Sequence, residues 1–297
     1  MTYRRIKVSP ISGALGAEVD GVDLATPLDD ETFAEVRKAF DENLIIFFRD
    51  QKVTPEQHLA FASRFGEFDI HPFAAGLPDH LEALPVIKEA DDRGGNFGGL
   101  WHSDVTFYER PPLGSILYAL CSGCAGIRRR YIVRQSILGL RDPVGRIEGN
   151  ARRDDRRAKR VYGNAGTAVT KYGAGVKSMN VRTGEDAEET VEHPVVRLIP
   201  ETGRKALFLN RSYALRFSGW TEAESDPLLE YLCNHAVRPE FTCRFRWRNG
   251  SIAFWDNRCA QHNALNDYHG QRREMHRITI VGERPMSIQD GNRAAVA

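Results

Sequence analysis

The chain has 297 residues, and no stretch of it approaches the ~20 consecutive apolar residues that would span a bilayer. Residues 1–20 carry no apolar signal-peptide core, so the chain reads as cytoplasmic, with no membrane partner. Cysteine is sparse: Cys121, Cys124, Cys233, Cys243 and Cys259 are five in number. An odd, scattered set in a long chain excludes a disulfide scaffold and reads as reduced thiols. Net charge is nearly absent at +1, which removes any global attraction to nucleic acid. No internal repeat is visible. What is present is a 41% hydrophobic content, enough for a sizeable core. Length alone allows about two domains, but single all-β barrels reach this size, and one domain over 1–297 is expected.

The charge balance hides an asymmetry. Residues 121–160 hold eleven arginines and one lysine against four acidic residues. Such a run resembles a nucleic-acid patch, a reading set aside below.

Local signals describe many short strands with a few helices. Asp29 caps a helix expected over 31–43, and Leu44–Phe48 is an apolar run of strand length. Thr54-Pro55-Glu56-Gln57 is a capping box with proline at the first helical position, opening a helix to about Arg64. Residues 74–100, rich in Gly, Pro, Asp and Asn, read as one mobile loop and a candidate lid. Thr221 and Glu224 form a second capping box, for a helix to about His235. Then 241–247, the turn Arg248-Asn249-Gly250 and 251–255 predict a hairpin. Residues 277–283 predict another strand. The fold class is mainly β, a sandwich or barrel with helical additions.

The chemistry begins in GGLWHSDVTFYERPP, residues 98–112. His102 and Asp104 stand two apart, and on a strand both would face the same side. They are two-thirds of the 2-His-1-carboxylate set that holds non-heme iron(II) with open positions. The plain alternative is a hydrogen-bonded pair. Further on, a strand ends at Trp255, Asp256-Asn257 turns, and His262 follows. Arg273 and Arg277, four apart on an apparent strand, share a face and suit bidentate binding of a carboxylate. Their plain alternative is surface ion pairing. Trp101, Phe107 and Phe208 are candidates to wall a pocket, or ordinary core.

Together these stretches resemble the taurine dioxygenase (TauD/TfdA) family of iron(II)- and 2-oxoglutarate-dependent oxygenases. The matching pieces are LGAEVDGVDL, IIFFRDQKVTPEQHLAFASRFGE, DIHPF, LWHSDVTFYERPPLGSILYAL, LFLNRSY and the stretch 254–285. The resemblance implies a double-stranded β-helix, a distorted jelly roll. It implies His102, Asp104 and His262 as iron ligands and Arg273 as the anchor of the distal carboxylate of 2-oxoglutarate. Arg277 matches an arginine near the substrate anion or the cosubstrate's other end, and His71 a histidine that helps bind a sulfonate. Phe107 and Phe208 then fall to the substrate pocket. The implied reaction hydroxylates a small organic anion (a sulfonate such as taurine, an aryloxy acid or an alkyl sulfate). It consumes dioxygen and converts 2-oxoglutarate to succinate and carbon dioxide. Two competing readings are an impaired metal-binding homologue and, against the sense of Arg273 and a missing general-base glutamate, a zinc hydrolase. The sequence names neither substrate nor oligomeric state, and allows a homo-oligomer.

Between Leu120 and Val161 the family pattern vanishes. Members carry a Gly-Gly-Asp-Thr turn here, whose threonine helps hold 2-oxoglutarate, and then a helix. Codons permitted for Arg128 through Pro143, read one base later, allow Gly-Gly-Asp-Thr followed by an Ala-Tyr-Glu helix. Residues 121–160 therefore read as a compensated frameshift. On that reading the arginines are no nucleic-acid site, Cys121 and Cys124 no metal pair, and the segment is expected to be poorly ordered. The alternative is a natural insert.

Overall fold

The computed structural model describes residues 2–70, 74–93, 98–121, 130–135, 159–163, 190–266, 268 and 270–294, with backbone alone for 121, 130–135, 159–163 and 292–294. In chain order the strands are β1 (Lys7–Pro10), β2 (Ala17–Asp20), β3 (Ile45–Phe48), β4 (Ala83–Lys88), β5 (Gly114–Cys121), β6 (Arg130–Gln135), β7 (Lys159–Gly163) and β8 (Thr190–Pro194). They continue with β9 (Val196–Leu198), β10 (Lys205–Leu207), β11 (Ala214–Phe217), β12 (Thr242–Arg246), β13 (Ile252–Asp256), β14 (Ala260–Ala264), β15 (Arg273–Ile280) and β16 (Met286–Ser287). The helices are α1 (Asp30–Asn43), α2 (Pro55–Ser63), α3 (Glu222–Ala236) and α4 (Ile288–Ala294).

A seven-stranded sheet, ordered β1-β2-β3-β13-β5-β15-β4, carries the architecture, and three three-stranded sheets complete it: β12-β6-β14, β11-β7-β8 and β10-β9-β16. The large sheet is buried on both faces, and its side chains alternate between two cores. Ile46, Phe48, Ile116, Ile252, Phe254, Ile278 and Ile280 face one way, onto Phe40 of α1 and Phe61 of α2. Ile45, Phe47, Leu117, Ala253, Trp255 and Met275 face the other way, onto Cys243 and Phe245 of β12 and Ala260 of β14. That second face is the interior of a jelly roll, and it is where the functional residues collect.

The helix starts follow their sequence signals. Asp29 caps α1 by accepting from the Thr32 amide, and Thr54 and Thr221 each close a full capping box. Leu44 ends α1 in a left-handed conformation and turns the chain directly into β3.

Two local expectations are overturned. The stretch 74–100 is not all loop, because Ala83–Lys88 forms β4 at the sheet edge, paired in register with β15. Pro85 hid it from the sequence, and an edge strand tolerates proline because one side of its ladder is unused. The predicted 241–255 hairpin is also absent. β12 pairs with β6, whereas β13 pairs with β3 and β5. The Arg248-Asn249-Gly250 turn hands the chain from one sheet to the other. Gly250 sits at φ +78, where a Cβ would lie 2.7 Å from the Gln51 carbonyl oxygen, and its amide donates to the Ala119 carbonyl at 2.9 Å. Main-chain pairing across the sheets therefore outcompetes the hairpin.

Within 121–160 the described pieces are strand ends and strands: Cys121, Arg130–Gln135 and 159–160. The remainder of that segment, and with it most of the expectation of poor order, lies outside the described residues. Among the described residues, no helix is long and apolar enough to cross a membrane.

Candidate metal centre

His102 and Asp104 do not lie on a regular strand. His102 makes an isolated antiparallel bridge with His262, in which each amide donates to the other's carbonyl at 3.1 and 2.8 Å. Asp104 follows in a turn, next to Val105 at φ +38. The alternation of a strand is thus not what unites the pair. The bridge sets the two histidine rings 4.1 Å apart, and the turn swings Asp104 beneath them. The approach is tight at Gly98 (φ +76), where a Cβ would lie 3.0 Å from His102 Cε1.

Asp104 Oδ1 lies 3.7 Å from both His102 Nε2 and His262 Nε2. One donor atom from each residue falls within 4.8 Å of the others, and all three residues are buried. His102 Nδ1 lies 2.7 Å from the Leu100 carbonyl, to which it donates, leaving the Nε2 lone pair facing Asp104. The Trp255 ring lies 4.6 Å from the His262 ring and holds its plane. Burial pushes both histidines down, His262 to about 3, so both rings are neutral donors at neutral pH. Burial pushes Asp104 up, but the Arg277 charge and the Ser115 hydroxyl outweigh it and hold the carboxyl well below the usual range. Two neutral imidazoles and an ionised carboxylate converging on one point fit a divalent ion such as iron(II).

The arginines arrive on β15. Arg273, Met275 and Arg277 alternate onto the jelly-roll interior, as the spacing predicted, and all three are buried. Arg277 Nη1 donates to Asp104 Oδ1 at 3.1 Å, while its Nε is buried with no hydrogen-bond partner. The Arg273 guanidinium lies 5.3 Å from the Tyr268 ring centroid. Directly opposite Arg273 on β4 is Lys88, also buried, whose Nζ donates to Asn266 Oδ1 at 2.9 Å. The sequence reading missed Lys88, since a lysine after a proline-containing run carries no signal of burial.

Phe107 and Phe208 pack in a third cluster with α3. Phe107 makes an edge contact with Tyr213 at 5.2 Å. Tyr213 is raised by burial and by the Asp104 charge, which places it near the centre. Phe208 sits against His193 and over the Arg197 guanidinium. Trp101 is half-buried beside His102, its carbonyl accepting from Ser212 Oγ at 3.2 Å. His71 lies outside the described residues. Ser115 and Asn257, which border Asp104, carried no signal in the sequence beyond a strand position and a turn.

A jelly roll with two imidazoles and a carboxylate converging inside it, flanked by buried arginines, defines a metal-dependent oxygenase of the 2-His-1-carboxylate class. The chain belongs to the taurine catabolism dioxygenase TauD, TfdA family, whose model matches residues 7–122 and 147–279. It is 30% identical to an alpha-ketoglutarate-dependent sulfate ester dioxygenase of Pseudomonas putida, over 95% of this chain and 92% of that protein. It is 30% identical to an alkylsulfatase of Acinetobacter baylyi, over 94% of this chain and 86% of the relative. Among solved structures, a putative alpha-ketoglutarate-dependent taurine dioxygenase from Burkholderia xenovorans superimposes with a TM-score of 0.77 at 31% identity, covering 96% of this chain and 95% of that one. The chain is accordingly an oxidoreductase, a dioxygenase using iron(II), 2-oxoglutarate and dioxygen.

Proposed function

We propose that this dioxygenase oxidises a small organic anion of the sulfate ester or sulfonate class, with His102, Asp104 and His262 holding the iron. The carrying observation is the convergence of three buried donors within 4.8 Å, with Arg277 touching the same carboxylate. An iron(II) ion bound there supplies oxidation of a substrate C–H bond by dioxygen, coupled to decarboxylation of 2-oxoglutarate to succinate.

The protein's own residues bind, orient and exclude water. Arg273 offers a planar fork to the far carboxylate of 2-oxoglutarate, in a site lined by Tyr268. Arg277 gives one N–H of Nη1 to Asp104, and its other guanidinium N–H groups are the donors offered to a substrate oxyanion. That arrangement ties the anion's position to the ligand carboxylate. His71, Phe107 and Phe208 complete the substrate side of the reading. The names of the two relatives favour a sulfate ester over an aryloxy acid.

A screen of alkyl sulfates, alkyl sulfonates and phenoxy acids tests the reading, with substrate-dependent succinate release as the signal. Turnover with an alkyl sulfate or sulfonate that disappears in Asp104→Ala, His102→Ala and His262→Ala is the expected result. Asp104→Glu also fails, because the added methylene displaces a carboxylate held at both oxygens. Wild-type turnover in Asp104→Ala sinks the ligand assignment; turnover with phenoxy acids alone sinks the substrate class.

A further inference from the structure

One carboxylate oxygen of Asp104 faces the two histidines, and the other is tied down by a chain of four buried groups. Ser115 Oγ lies 2.9 Å from Asp104 Oδ2. Asn257 Nδ2 donates to Ser115 Oγ at 3.2 Å. Asn257 Oδ1 accepts twice, from Trp255 Nε1 at 3.0 Å and from the Asp104 amide at 3.2 Å. Ser115, Asn257, Trp255 and Asp104 are all less than 5% exposed.

The direction of every bond in this chain is forced. An indole nitrogen and a backbone amide can only donate, so the Asn257 atom they meet is its oxygen. Its nitrogen is then the atom that faces Ser115, and a carboxamide nitrogen donates. The Ser115 oxygen therefore accepts from Asn257, and its own proton has one remaining partner, Asp104 Oδ2. The chain begins at a tryptophan whose ring also packs on His262, so one indole orients the imidazole by contact and the carboxylate through hydrogen bonds. Its frame is the large sheet: Trp255 and Ser115 are directly opposite on β13 and β5, and the Asn257 amide donates to the Leu113 carbonyl at 2.9 Å.

We propose that Ser115 and Asn257 are positioning residues that make Asp104 a ligand through one oxygen. With Oδ2 engaged by the Ser115 hydroxyl, Oδ1, which also accepts from Arg277 Nη1, is the oxygen that would be left to hold a metal ion. The inference rests on His102, Asp104 and His262 being the metal site.

The test is metal binding itself, measured on the full chain without oxygen. Mn(II) affinity is read by calorimetry and the ligand field by the absorption of the Co(II)-loaded protein. Ser115→Ala is expected to bind Mn(II) roughly tenfold or more weakly, the scale of lost outer-shell support for a metal ligand. Its Co(II) spectrum shifts, and its metal-free melting temperature stays within a few degrees of wild type. Ser115→Thr keeps the hydroxyl and should restore affinity to within about threefold. Ser115→Cys keeps the volume but offers only a weak donor, and should behave like the alanine variant even if the latter folds poorly. Wild-type affinity and an unchanged Co(II) spectrum in both Ser115→Ala and Ser115→Cys overturn the proposal. If the wild-type chain binds no Mn(II) and Asp104→Ala changes nothing, the metal-site reading fails instead.

Discussion

Removing the charge of Arg258 tests how the turn beneath the metal centre is held. Arg258 is 1% exposed. Its Nε and Nη2 grip the two oxygens of Asp256 at 2.9 and 2.8 Å, and its Nη1 reaches both oxygens of Glu201 at 2.9 and 2.7 Å. Arg258→Met keeps most of the length and removes the charge. Glu201 is one-third exposed and can rehydrate, so it contributes little to the loss. Asp256 is 1% exposed and loses both guanidinium bonds, keeping the backbone N–H of residue 258. Breaking such a pair costs about 3–5 kcal/mol. The expected destabilisation is therefore about 3–5 kcal/mol, or roughly 6–20 °C in melting temperature, read by calorimetry of the metal-free protein at pH 7. Arg258→Met combined with Asp256→Asn should recover most of it. A deficit below about 1 kcal/mol, or no recovery in the double variant, refutes the reasoning.

Arg273→Lys should raise the KM for 2-oxoglutarate by roughly tenfold, because an ammonium cannot reproduce two parallel bonds to a carboxylate. An unchanged KM points to another anchor, with Arg277 and Arg272 tested next. His58 is buried with no partner on Nε2, and burial together with nearby His276 pushes it down to about 3. Its folded pKa is depressed, so the stability linked to it is complete above about pH 6.5 and is lost on acidification toward 3. His58→Phe should remove about 2 kcal/mol of the decline between pH 7 and pH 5; an unaltered slope in denaturant titrations excludes His58 as its source. The family model passes over residues 123–146 and resumes at 147, so the departure from the pattern is shorter than the 121–160 expected from the sequence. Sequencing codons 128–143 should show a Gly-Gly-Asp-Thr turn and an Ala-Tyr-Glu helix one base on, and a chain with that frame restored should bind 2-oxoglutarate more tightly. DNA without that alternative frame ends the frameshift reading.

What the sequence by itself determined is whatever rests on local chemistry. Asp29, Thr54 and Thr221 announce helix starts, since a cap needs only the next three residues. Arg273 and Arg277 share a face because strand alternation is a local rule, and the WHSDVTF and FWDNR stretches carried the family. Tertiary structure decided what depends on partners far apart in the chain. His102 and Asp104 meet His262 through a two-histidine bridge and a turn, with no strand between them, and no spacing rule encodes that. The Asn-Gly turn at 249–250 looks like a hairpin until Gln51 and Ala119 claim its backbone. Lys88 is buried because β15 lies beside it. Ser115 and Asn257 are a plain strand serine and a turn asparagine until packing aims their hydrogen bonds at Asp104, because a hydrogen-bond chain has direction only when both ends are held.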